Sequence, residues 1–92
     1  MKTINYKKVE EMKKIIKFEK TDCNPCVMVS QYLNSKATPF DAINPFDHPE
    51  LAIKYRVRSV PTTILVKDDD ELMRSIGYQP EELKRMIETL LQ

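Results

Sequence analysis

Lys14-Ile15-Ile16-Lys17-Phe18-Glu19 leads through Lys20-Thr21-Asp22 into Cys23-Asn24-Pro25-Cys26, which holds the only two cysteines of the 92-residue chain. The first run is strand-like, with apolar residues bounded by the turn-prone pair Thr21-Asp22. Pro25 then sits where a helix tolerates proline, in its first turn. A C-x-x-C opening a helix at the end of a strand places one sulfur at the helix N-terminus. There, unpaired N–H groups and the helix dipole stabilise a thiolate. The second sulfur follows about one turn later, within reach of a mixed disulfide formed by the first.

Two other uses of the pair fit less well. Structural zinc takes four Cys or His ligands, and the only further candidate of either type is His48. A disulfide closing so short a loop removes little unfolded-state entropy, so a purely structural staple would stabilise weakly. Dithiol redox chemistry is the reading that the spacing favours.

Composition agrees with a small globular domain. Fifteen basic and 14 acidic side chains leave a net charge of +1, which points to neither nucleic acid nor a membrane surface as partner. No apolar run reaches membrane-spanning length, and Met1 to Lys8 lacks the apolar core of a signal peptide. A cytoplasmic, reducing setting is the expectation, with one domain over residues 1–92.

Working outward, Tyr6, Val9 and Met12 follow helical spacing ahead of the first strand, Ile15 to Glu19. Asn24 to Ser35 reads as a helix and Pro39 to Asn44 as a short strand. Asp47-His48-Pro49-Glu50 reads as a helix start with Asp47 as cap, continuing through Leu51, Ala52 and Tyr55. Thr62 to Lys67 is a β-branched strand, with Leu72 to Ile76 its hairpin partner across Asp68-Asp69-Asp70-Glu71. The acidic run is a charged turn before it is a cation site. His48 is expected to be exposed and outside the chemistry. Pro80 then opens a helix with the apolar stripe Leu83, Met86, Ile87, Leu90 and Leu91. The order α-β-α-β-α-β-β-α makes an α/β sheet with helices on both faces.

Two stretches together resemble the thioredoxin superfamily. One is Phe18 to Cys26; the other, Tyr55-Arg56-Val57-Arg58-Ser59-Val60-Pro61-Thr62, is similar to the family's Y-x-[VI]-R-x-[VI]-P-T segment. The resemblance implies a thioredoxin-like fold, a central mixed sheet of about four strands covered on both faces. It implies a thiol–disulfide oxidoreductase in which Cys23 attacks a protein disulfide and Cys26 resolves the intermediate, with Pro25 between them and no metal or organic cofactor. A cis Val60–Pro61 bond, with Val60 offering its backbone to an extended substrate, follows from the same likeness. Gly77 matches the glycine of the loop beside that groove, or simply serves a turn. The implied partners are protein disulfides and a flavin-dependent thioredoxin-type reductase, the protein itself being a monomer.

The chain also departs from the family. Asp22 stands where thioredoxins carry tryptophan, opposing the Cys23 thiolate that Lys20 favours. Lys17 stands where they bury an acid, and it is expected to reach solvent along its stem. The alternative for Lys17 is a pairing with Asp41 on the neighbouring strand. Lys20-Thr21 resembles the K-[TS]-x-C of glutaredoxins, which makes a glutathione-dependent reductase the first alternative. Their G-G-x-D signature is missing, however, with Gly77-Tyr78-Gln79-Pro80 in its place. A binding module using the groove beside Pro61 without redox chemistry is the second alternative.

Overall fold

The structure is a computed structural model and describes residues 12–92; the helix expected around Tyr6 and Val9 lies outside the described residues. Four strands, β1 (Lys13–Phe18), β2 (Asp41–Ile43), β3 (Thr62–Lys67) and β4 (Asp70–Ile76), form one sheet in the order β2-β1-β3-β4. The first pair is parallel and the other two antiparallel, so the sheet is mixed. Three helices cover it: α1 (Asn24–Ser35), α2 (Pro49–Lys54) and α3 (Pro80–Leu90).

Strand alternation sets the two cores. Ile15 and Leu65 point to one face, where Val29 and Leu33 of α1 meet Leu83 and Met86 of α3. Ile16, Phe18, Ile64 and Val66 point to the other, under Tyr55 and the partly buried Leu51 and Ala52 of α2. The Phe18 and Tyr55 rings lie 6.2 Å apart in a tilted pair. Because both faces are covered, β1 and β3 are buried on consecutive residues rather than alternate ones. That geometry leaves no solvent-facing side for the middle of β1, which matters for Lys17 below.

Several boundaries differ from the reading of the sequence. Only Asp41–Ile43 of the second strand pairs, in register with Ile16, Lys17 and Phe18. Asp47 does not cap α2. The cap position belongs to His48, which makes no side-chain cap bond, while Pro49 takes the first turn. The hairpin turn is tighter than Asp68 to Glu71, since Lys67 already pairs with Asp70. Asp68 and Asp69 carry it, with φ of 52° and 73°; aspartate tolerates the left-handed region and the turn twists with the strands. A bulge follows, with Met73 opposite Leu65 but Glu71 opposite Val66. Leu91 leaves the α3 stripe and is exposed at the helix end.

Arg74 ties the hairpin to the end of α2. Its guanidinium donates to both Glu71 carboxylate oxygens, at 2.9 and 2.8 Å, and to the Tyr55 carbonyl. The hydrogen bond from Arg74 holds the Glu71 carboxyl below its usual range, against a smaller opposing effect of partial burial and with help from the positive charge. A depressed folded value means this stabilisation is present above the ordinary carboxyl value and is lost as pH falls through the lowered one. Glu71→Gln is therefore expected to be less stable than the parent at neutral pH, with the difference gone at an acid pH below the lowered carboxyl value. Thermal unfolding of both proteins at the two pH values checks this; a constant difference would remove the assignment.

Candidate active site

Cys23 is the cap residue of α1, in extended backbone (φ −130°, ψ 101°), and Cys26 lies inside the first turn. The preceding Asp22 adopts φ 55°, a conformation aspartate tolerates better than most residues, and this turns the chain sharply from β1 into the helix. The two sulfurs are joined at 2.15 Å with Cα atoms 5.2 Å apart. The Cys26 N–H also points at Cys23 Sγ, 3.2 Å away. One unpaired donor of the helix start thus meets the first sulfur, where it and the helix dipole favour a negative charge. Cys23 is 9% exposed and Cys26 3%, so both are largely buried and the first is the more accessible.

A hollow of about 460 Å³ opens beside the pair. Lys17, Glu19, Lys20 and Asp22 line it together with both cysteines and Ser30. The structure thus brings three of the sequence-derived modulating residues, Lys17, Lys20 and Asp22, to one cavity with the sulfurs. Pro25 sits in the first turn between the cysteines.

Lys17 corrects the sequence reading on both counts. It does not reach solvent, being 0% exposed, and it does not pair with Asp41, which instead meets Lys14 at 3.3 Å. Its ammonium donates to Glu19 and to Ser30 and lies 5.5 Å from the centre of the Phe40 ring. The cause is strand geometry. Lys17 shares its face with Ile15, under α1, and residues two apart on a strand project the same way, so Glu19 is the nearest carboxylate. Ser30 lies one helical turn after Cys26, on the same side of α1. Beside Lys17 on β3, the hydroxyl of Thr63 is buried with no hydrogen-bond partner among the described residues.

Val60, Pro61 and Gly77 do not line this hollow. The Val60–Pro61 peptide is cis, and the Gly77 N–H donates to the Pro61 carbonyl at 2.8 Å. Gly77 has φ +77°, and an added Cβ would meet nothing within 4 Å. Its backbone conformation, rather than a close approach, is what requires glycine. Gly77→Ala is expected to cost about 1 kcal/mol, seen as a fall in melting temperature of about 4–8 °C; an unchanged melting temperature would count against this reason for the glycine. Val60 lines a second groove, which Lys20 also borders. His48 is exposed near Glu50, 3.5 Å away. Among the described residues, no three His, Cys, Asp or Glu side chains gather as metal ligands.

Comparison with known proteins places this arrangement. A family model described as Thioredoxin matches residues 2–89. A thioredoxin-like protein of Bacillus subtilis, YosR, derived from the SPbeta prophage, is 40% identical over 78 residues, covering 84% of this chain and 98% of its own. A thioredoxin of Staphylococcus epidermidis is 33% identical over 81 residues, covering 82% and 78% respectively. Among solved structures, the Fasciola hepatica thioredoxin superposes with a TM-score of 0.76 at 25% identity, covering 95% of this chain and 86% of the other. The Drosophila melanogaster thioredoxin Deadhead reaches 0.77 at 22% identity, covering 97% and 90%, a likeness of fold.

Proposed function

This chain belongs to the thioredoxin family, and we propose that Cys23 is its attacking thiol and Cys26 its resolving one. Family membership and the joined cysteine pair make it a thiol–disulfide oxidoreductase acting on protein disulfides. The assignment of roles rests on one observation. Cys23 caps α1 and is the more exposed sulfur, whereas Cys26 is inside the helix and nearly closed off.

In the reaction, the Cys23 thiolate attacks one sulfur of the target disulfide. A mixed disulfide forms and the first target thiolate leaves, taking a proton from water. Cys26 gives its proton to solvent and attacks Cys23 Sγ, expelling the second target thiolate. Two electrons have then moved to the target, and the Cys23–Cys26 disulfide remains. An extended target segment lies along the backbone of Val60 and Pro61, in the manner of an added strand, with Gly77 holding the Pro61 carbonyl from the other side. Lys17, Lys20, Asp22 and Pro25 modulate the pair from around it. The dithiol itself is the electron carrier.

The reductant is a flavin-dependent thioredoxin-type reductase, the compartment the cytoplasm and the working form a monomer. The likeness to thioredoxins supports this reading. The test is to supply electrons by two routes, NADPH with a bacterial thioredoxin reductase or glutathione with glutathione reductase, and follow reduction of an insulin disulfide. Turnover by the first route alone is expected. Turnover by glutathione alone would make the protein a glutaredoxin-like enzyme instead.

A further inference from the structure

The second groove, of about 400 Å³, runs beside the first and shares Lys20 with it. Pro45, Phe46, Val57 and Val60 give it apolar walls, and Arg58 stands with Lys20 at its edge. Phe46 is 82% exposed on a backbone that is held: its N–H donates to Asn44 Oδ1 at 2.9 Å, and the next N–H, of Asp47, donates to the Asn44 carbonyl at 3.0 Å. An Asx turn thus presents the ring. Val57 and Val60 are backed by the Phe18 and Tyr55 core. A large apolar side chain standing in the open on an ordered turn is an anchor site for a partner's apolar side chain.

Charge selects the occupant. Among the described residues, Lys20 and Arg58 are the only charged ones lining the groove, and both are exposed. Neither has a carboxylate partner among the described residues. Two cations in a chain of net charge +1 are too few for a phosphate backbone, which is held by many. They suit one or two carboxylates beside an apolar side chain.

We infer that this groove selects the targets of the dithiol, taking the part of an extended substrate segment that carries an aromatic or large aliphatic side chain next to an Asp or Glu. The inference rests on the proposal that the substrate backbone lies along Val60. Side chains on an extended segment alternate in direction, so a segment paired there sends every second side chain toward Phe46, Val57 and Arg58. Lys20 then reaches the same segment nearer its cysteine.

Three disulfide-linked peptides test this, identical but for Glu, Gln or Lys beside a Phe that flanks the cysteine. The wild type is expected to reduce the Glu peptide with a kcat/KM about tenfold above the Lys peptide at low salt, the gap narrowing as salt is raised. Arg58→Gln should flatten the preference and Arg58→Glu invert it, while Phe46→Ala lowers all three values. Reduction of the small neutral disulfide of 2-mercaptoethanol should stay unchanged in these variants, which reports folding and an intact dithiol. Equal values for the Glu and Lys peptides in the wild type, or a preference that survives Arg58→Glu, would overturn the inference. If the wild type reduced the small disulfide but none of the peptides, the substrate edge itself would be misplaced and the groove with it.

Discussion

Cys23→Ser is expected to lower the rate of protein-disulfide reduction by more than about a thousandfold, because it removes the nucleophile itself. A serine hydroxyl at the head of α1 does not ionise near neutrality and does not attack sulfur. Cys26 cannot stand in for it, being only 3% exposed. The fold should survive the change, since the cysteine pair closes only a four-residue loop and contributes little through chain entropy. Stopped assays of insulin reduction, with circular dichroism to show the variant folded, decide the matter. Residual activity within about tenfold of the parent would mean that Cys26 can attack directly. A variant that lost reduction but kept full affinity for its partner would also show how much binding the groove beside Pro61 supplies alone.

The second large effect belongs to Glu19, whose side chain is 34% exposed, and not to the fully buried lysine it meets. Glu19→Ala leaves the Lys17 ammonium buried with Ser30 as its one remaining hydrogen-bond partner and the Phe40 ring nearby. Stranding a buried charge costs about 3–5 kcal/mol. Lys17→Met removes the charge instead and fills the same space with an unbranched apolar chain. Glu19, partly open to water, can hydrate itself, so this change should lie within about 1 kcal/mol of neutral. In the double variant the methionine should rescue most of the loss caused by Glu19→Ala, giving a large coupling energy in a double-mutant cycle. Lys17→Asp sets a carboxylate against Glu19 and should be as damaging as Glu19→Ala. Urea unfolding of the parent and the four variants checks the pattern. Equal, small effects of Glu19→Ala and Lys17→Met would mean the ammonium escapes to solvent.

These two residues also show what could be read from the sequence and what could not. The Cys23 to Cys26 spacing, Pro25 and the strand before them were local signals, and they located α1 at its actual bounds, Asn24–Ser35. The α/β sheet with helices on both faces followed from the order of periodic segments, whereas its mixed pairing was implied only by the likeness to thioredoxins. Lysine is rarely buried, which favours solvent for Lys17, but in a strand covered on both faces geometry outweighs that tendency. Yet the sequence held the correction. If Ile15 and Phe18 are both inward and on opposite faces, the strand is covered on both sides, and the residue between them has no route to water. Glu19 could then have been named by its spacing of two along the strand. Asp41 was the wrong choice because cross-strand register is a tertiary fact: Ala42, not Asp41, stands beside Lys17.

Loop detail was less legible for a related reason. The tight Asp68-Asp69 turn and the bulge after it depend on how two strands twist against each other, which four consecutive acidic residues do not reveal. Phe46 and Arg58 carry no joint signal in the sequence because they lie on separate loops, 12 residues apart. Only the packing of Val57 and Val60 on the Phe18 and Tyr55 core sets them around one groove.

Trapping bears most directly on the account as a whole. Cys26→Ser, reduced and mixed with an oxidised protein substrate, should halt after the first exchange. Mass spectrometry should then find one covalent adduct, linked through Cys23, while Cys23→Ser under the same conditions forms none. An adduct on Cys26 in the Cys23→Ser protein, formed as readily as that on Cys23, would contradict the assigned order of attack and resolution.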